Sequence, residues 1–315
     1  MNHQQKSNPR GNIYGPVPSR RLGFSLGIDI IPCKTCTFNC IYCQLGPTKK
    51  TTIQRRSYYS CSEILAQLKS VLDSGQRIDY ITFSGSGEPT LNSILGKLIR
   101  EIKKITSIPV AVLTNSSLIS RKSVREALNA ADLVVPSLDA ATQDAFLLVN
   151  RPHSSLKAQK IIQGLIDFRK EFKGLLWLEV MLVKGINDSP PHIQKLMEAI
   201  AKIKPEKVQL NTVIRPPAEK FARPLNLKEL ERIKNMIGPN CEIIADFEAK
   251  AQTPLSKDLG EAIFSMIRRR PVSLFDISAS LGRNPNEILK YLNSLLKENK
   301  IKQILHKGVT YYEPK

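Results

Sequence analysis

Apolar positions along the chain follow two alternating periods. Short runs rich in Ile, Val, Leu and Phe, bounded by turn residues, predict strands at Leu26–Ile31, Tyr80–Phe83, Val110–Leu113, Leu133–Ser137, Leu175–Val183 and Lys207–Val213. Between them apolar residues recur every three or four positions, as at Ile64, Leu65, Leu68 and Leu72. That spacing predicts helices over 61–72, 91–105, 120–130, 156–172 and 191–203. Strand followed by helix, about six times over, is the pattern of a parallel sheet with crossover helices. The expected fold class is α/β, a partial (β/α)6 TIM-like barrel with its functional loops at the C-terminal strand ends. Residues 1 to about 20 show no period and read as an irregular arm.

The pattern changes towards the C-terminus. A helix near Leu225–Met236 and a strand near Cys241–Ala245 are followed by a linker-like stretch at 248–254. Three short helical patterns come next, Leu259–Arg269, Leu274–Leu281 and Asn286–Leu296, and then two apolar-alternating runs around Lys307-Gly308. Three helices closed by a hairpin predict a C-terminal winged helix-turn-helix domain. The expected division is a barrel domain over 1–247 and a winged domain over 255–315. The last helix of the three would be the recognition helix, with Arg283, Lys290 and Lys297 facing phosphate and Lys307 on the wing. Winged helices also dock proteins, so the tail by itself does not choose a partner.

Composition narrows the class. Hydrophobic residues are 42% and charged residues 24% of 315, ordinary values for a water-soluble globular protein. The longest apolar run, Leu175–Val183, is too short to span a bilayer, and the N-terminus lacks a signal-peptide core. Cytoplasmic residence with no membrane partner is expected. The formal net charge of +19 argues for a polyanionic partner, RNA or another nucleic acid being the commonest. The first sixty residues hold nine basic side chains against one acid, Asp29.

Four of six cysteines, Cys33, Cys36, Cys40 and Cys43, fall within eleven residues, which in a reducing compartment favours metal over disulfides. Cys61 and Cys241 lie in apolar patterns and read as small buried residues. The spacing Cys36-x3-Cys40-x2-Cys43 suits three corners of a cubane cluster, with one iron left for a non-protein ligand. With Cys33 recruited, the same thiols suit a zinc site or a closed electron-transfer cluster.

This loop lies between a first strand and a first helix, with Tyr42 before its last cysteine, and so resembles the radical S-adenosylmethionine (SAM) superfamily. The turn Ser86-Gly87-Glu88, one strand later, resembles that superfamily's second motif with Ser in place of the first Gly. The resemblance implies metal ligation by Cys36, Cys40 and Cys43. It further implies SAM contacts from Tyr42, Ser86, Gly87, Glu88, Asn115, Ser137 and Asp139. Lys184, Asn187 and Asn211 sit on later strand-end loops of the same series. A 4Fe-4S cluster and SAM are the implied cofactors, and the implied chemistry is reductive cleavage of SAM to a 5′-deoxyadenosyl radical that abstracts hydrogen from substrate. An external flavodoxin or ferredoxin-type reductant follows from it. The run Gly15-Pro-Val-Pro-Ser-Arg-Arg-Leu-Gly23 with Gly27-Ile-Asp29 is similar to the Fe–S oxidoreductases grouped with wyosine-type tRNA synthetases. The chain lacks the second, upstream cysteine set of the archaeal wyosine enzymes. The implied function is a radical SAM enzyme acting on RNA or another macromolecule. A redox-sensing Fe–S regulator that binds nucleic acid through its tail is the alternative.

Overall fold

The computed structural model describes residues 11–19, 21–48, 50–245, 259–281, 283 and 285–315. Its main sheet is an edge hairpin followed by a parallel series. Strand β1 (Ile13–Ser19) pairs antiparallel with β2 (Gly23–Ile28). From β2 onward every neighbour is parallel and in chain order: α1 (Cys61–Leu72), β3 (Tyr80–Phe83), α2 (Leu95–Ile105), β4 (Val110–Thr114), α3 (Lys122–Leu128) and β5 (Leu133–Pro136). The series continues through α4 (Gln143–Val149), α5 (Ala158–Glu171), β6 (Leu175–Leu182), α6 (Pro190–Ile203), β7 (Lys207–Thr212), α7 (Leu227–Ile237) and β8 (Cys241–Ile243). Seven parallel strands joined by helical crossovers form the expected partial barrel.

The helices follow from their patterning and their ends. In α2, Leu95, Leu98, Ile99 and Ile102 are fully buried, while Lys103 and Lys104 complete the last turn, where cations suit the helix dipole. The Ser60 hydroxyl accepts from the Glu63 amide at the start of α1, and Asn226 and Glu229 form a capping box on α7. Two elements differ from the sequence reading. The irregular arm is corrected over its described part, because residues 13–19 are strand β1. Pro16 and Pro18 lower the strand signal, yet an edge strand tolerates proline, which has no N–H to give to a ladder. Helix α4, about two turns long, is an addition between β5 and α5. Thr142 caps it by accepting from the Ala145 amide.

Leu22 packs with Ala111, Leu133 and Val135 and with the half-buried Trp177. Arg21 reaches across to Glu179 on β6 (3.0 Å) and Gln209 on β7 (2.9 Å), tying the hairpin to the far strands.

The C-terminal unit comprises α8 (Leu259–Arg269), β9 (Val272–Ser273), α9 (Leu274–Leu281), α10 (Pro285–Lys297), β10 (Ile301–His306) and β11 (Val309–Pro314). Its strands form an antiparallel sheet in the order β10-β11-β9. It has its own core, centred on Ile263, Ile267, Ile277, Ile288 and Leu292, against which Val17 of β1 also packs. The expected 248–254 linker lies outside the described residues. Among those described, no helix is long and apolar enough to cross a membrane.

A buried ion pair fastens this unit to the barrel. Arg269 Nη1 donates to Asp29 Oδ2 at 2.9 Å, with side chains 6% and 3% exposed. The guanidinium carbon lies 4.3 Å from the centre of the Tyr14 ring, and Nη2 donates to the Gly11 carbonyl at 3.2 Å. Tyr14 itself fits because residue 27 is glycine: a Cβ there would lie 2.0 Å from the ring. Removing one member of such a pair strands a buried charge. Arg269→Met is therefore expected to cost about 3 kcal/mol in urea unfolding. Asp29→Asn in the same chain should restore part of the loss, and a single-variant effect under about 1 kcal/mol would contradict the account.

Candidate functional site

The cysteine loop leaves the C-terminal end of β2 and lies against the turn that leaves β3. Two backbone bonds zip them together: the Lys34 amide donates to the Ser86 carbonyl at 2.9 Å, and the Glu88 amide donates to the Thr35 carbonyl at 3.2 Å. Contact is so close at Gly87 that a Cβ would lie 2.0 Å from the Thr35 carbonyl oxygen. Glycine is needed here for loop-on-loop packing. Ser86 is held from below, its amide and hydroxyl donating to Asp29 Oδ2 at 3.1 and 2.6 Å. The neighbouring Gly85 has a φ of +143° and faces Asp29, whose Cγ would be 2.5 Å from a Cβ.

Glu88 is 2% exposed. Its Oε1 accepts from the Thr90 amide (3.0 Å), the Thr90 hydroxyl (2.6 Å) and the Thr114 hydroxyl (2.6 Å), and Oε2 accepts from the Asn115 amide (2.7 Å). Burial pushes its pKa up, and these donors pull it back. The carboxylate thus clamps the turn after β3 to the end of β4. What the turn can offer a ligand is its backbone.

A second clamp holds the far side of the loop. The Tyr42 hydroxyl and Asn150 Nδ2 (2.7 Å) both donate to Asp139 Oδ2, while the Met181 amide donates to Oδ1 at 3.0 Å. Burial raises the Asp139 pKa to about 6 against the pull of those donors. Asn115 and Asn150 each turn an amide towards sulfur, Asn115 Nδ2 to Cys36 Sγ and Asn150 Nδ2 to Cys40 Sγ, both at 3.4 Å. Hydrogen bonds to sulfur of this kind tune an iron–sulfur centre.

The donor set fits a cluster by its charge. Burial raises the pKa of all three thiols, that of Cys36 to about 12, so each must shed a proton to ligate metal. Lys34, at φ +65°, turns its Nζ inward, where the atom is buried without a hydrogen-bond partner among the described residues. Burial lowers its pKa, and Cys43, Cys33 and Cys36 oppose that shift. An unpaired buried ammonium beside three thiols suits a site that will carry negative charge. Cys33 is exposed, while Cys36, Cys40 and Cys43 are half-buried. Among the described residues no group of three or more His, Cys, Asp or Glu is placed to hold a single metal ion. A cubane differs in engaging each thiolate at its own corner.

Beside this loop lies a cavity of about 440 Å³, lined at the strand ends by Tyr42, Cys43, Ser84, Gly85, Ser137 and Met181. Of the seven residues expected to meet SAM, Ser137 and Tyr42 line this cavity. Ser86, Glu88, Asn115 and Asp139 instead brace the loops around it, and Gly87 allows their close approach. Asn211 also lines it and donates to Glu179 Oε1 at 2.9 Å. Asn187 is buried in its own turn, and Lys184 pairs with Glu229 at 2.7 Å. Sequence reasoning missed Asp29, Lys34, Asn150 and Arg269 as parts of the site. Asp29 alone carried a signal, as the single acid among nine bases.

A parallel half-barrel with a three-thiol loop at its C-terminal mouth is the architecture of radical SAM proteins, and residues 30–212 match the Radical SAM superfamily. The chain belongs to that superfamily, and is accordingly an enzyme whose cofactors are SAM and a 4Fe-4S cluster. It is 36% identical over 306 residues to a UPF0026 protein of Methanocaldococcus jannaschii, covering 95% of this chain and 94% of that one. It is 43% identical over 303 residues to a Brachyspira hyodysenteriae protein named GTPase Obg, where 95% of this chain spans 45% of the relative's length. The structure of Streptococcus suis SuiB bound to S-adenosylmethionine shares the fold, with a TM-score of 0.52 at 16% identity over 70% of this chain and 50% of that one.

Gly87→Ala tests the zipper. The added methyl must push the turn off the Thr35 carbonyl, so iron and sulfide bound per chain after anaerobic reconstitution should fall severalfold while circular dichroism is unchanged. Wild-type loading would show that the close approach is unnecessary.

Proposed function

We propose that this chain reductively cleaves SAM, with Cys36, Cys40 and Cys43 as the three cluster ligands and Cys33 a neighbour outside the set. The observation that carries this reading is the zipper of Lys34 and Thr35 to Ser86 and Glu88, which holds the thiol loop and the Gly87 turn together at the edge of one cavity. When bound, the cluster and SAM supply an electron and a 5′-deoxyadenosyl radical; the remaining tasks belong to the protein. Lys34 balances the charge of the thiolates. Asn115 and Asn150 donate to two of the sulfurs. Ser137, and the backbone of the Ser84–Glu88 turn, offer polar contacts to SAM, and the barrel wall limits water. The electron comes from a flavodoxin or ferredoxin-type protein.

The division at 1–247 and 255–315 separates the barrel from a tail that we read as a winged helix-turn-helix. The antiparallel β10-β11 hairpin following α10 supports that reading. The net charge of +19 supports an anionic substrate, with RNA or another macromolecule the reading that the composition favours. A cytoplasmic setting suits both the exposed Cys33 and the reduced thiols.

Anaerobic reconstitution followed by reduction with dithionite in the presence of SAM is the direct test. The wild type and Cys33→Ala should release 5′-deoxyadenosine. Cys36→Ala, Cys40→Ala and Cys43→Ala should each release none. A cluster that forms but leaves SAM intact, or one that is lost with Cys33, would sink the proposal.

A further inference from the structure

The cavity is walled partly by the barrel and partly by the C-terminal unit, whose Arg270, Phe275 and Ala279 face it. Among the described residues four arginines line it, Arg21, Arg215, Arg269 and Arg270, against two carboxylates, Glu179 and Asp276. Arg269 is committed to Asp29 and Gly11. Arg21 and Arg215 are differently placed. Arg21 uses only Nη1, on Glu179 and Gln209, and Arg215 uses only Nη2, on Asp276 of α9 at 3.3 Å. Nε and Nη2 of Arg21, and Nε and Nη1 of Arg215, have no protein partner among the described residues. None of these four nitrogens is sealed from solvent, although the two side chains are only 12% and 9% exposed.

A guanidinium fork with idle N–H groups, held in place by its own ion pair, is a preformed receptor for phosphate or carboxylate. Two such forks in a recess whose described lining carries excess positive charge act together to attract an anion. At about 440 Å³, and bordered at one edge by Tyr42, Cys43 and Ser137, the cavity has the size of a small-molecule site.

We propose that this cavity is a substrate subsite for a nucleotide-sized anionic group, phosphate or carboxylate, held by Arg21 and Arg215, with the C-terminal unit as one of its walls. The assignment of the bound molecule as substrate rests on the SAM-cleaving reading; the anion site itself does not. The same chemistry can arrive on a free small molecule or on one nucleotide of an RNA strand. On this account the tail shapes the site through α9, whether or not it also meets a partner elsewhere.

The test is calorimetric titration of the reconstituted full-length protein, with SAM present, using inorganic phosphate in one arm and a short single-stranded RNA in the other. Phosphate should bind, and Arg21→Gln and Arg215→Gln should each weaken it by about tenfold, the usual loss for a charged hydrogen bond. Arg215→Lys, which keeps the charge but loses the fork, should restore only part of the affinity lost in Arg215→Gln. Ala279→Phe, which fills the tail's side of the cavity without altering charge, should weaken it as well, with an unchanged melting temperature as the folding control. RNA binding that depends on Arg215 and Ala279 in the same way places the anion on a strand; dependence in the phosphate arm alone places it on a small molecule. Absence of phosphate binding, or equal affinity in all variants, overturns the proposal. SAM cleavage measured on the same preparations separates the two readings. Cleavage without Arg-dependent binding sinks this inference alone, and Arg-dependent binding without cleavage sinks the enzymatic reading alone.

Discussion

The carboxylate of Asp29 sits almost wholly out of water where three parts of the chain meet. It follows directly on the first parallel strand, accepts two hydrogen bonds from Ser86 on the next strand's turn, and pairs with Arg269 from the C-terminal unit. A charge so deeply buried is tolerable only when opposed and hydrogen-bonded, so each partner is obligatory. The geometry of the Ser84–Glu88 turn, and through it the height of the thiol loop, depends on this group. The edge hairpin depends on it too, because Tyr14 is fixed between Arg269 and the Ser84 hydroxyl, 2.7 Å away.

Around that point the site is built by carboxylates that act as struts. Glu88 gathers donors from the turn after β3 and the end of β4, and Asp139 from the thiol loop, the end of α4 and β6, leaving the edge of the cavity beside the thiol loop to backbone, Tyr42, Ser137 and sulfur. The design is economical: one buried acceptor with several oxygen lone pairs fixes several loops at once. Such groups resist substitution for structural reasons even where they never touch a substrate.

Much of the architecture was legible from the chain alone. The parallel strands and most helices were visible because buried strands read as continuous apolar runs and helices carry a clean 3.6 period. The β10-β11 hairpin was visible from alternation around Lys307-Gly308. Strand β1 was hidden by Pro16 and Pro18, and α4 by its brevity. At the site, the cysteine spacing and the Gly87 turn were legible as motifs. The roles of side chains were less so. Asp29 to Ser86 spans 57 residues and Asp29 to Arg269 spans 240, separations on which local pattern is silent. Lys34 likewise looked like one more base in a basic segment, whereas its burial beside the thiols sets it apart.

The span between Asp29 and Arg269 also fixes an order of events during synthesis. At roughly 5–20 residues per second, the 240 residues between them take on the order of tens of seconds to emerge. Throughout that interval the thiol loop exists without the cation that braces its foundation. The barrel's cysteines therefore reach their final setting only once nearly the whole chain has left the ribosome, and a chain cut short before α8 keeps an acid in its interior with nothing to oppose it.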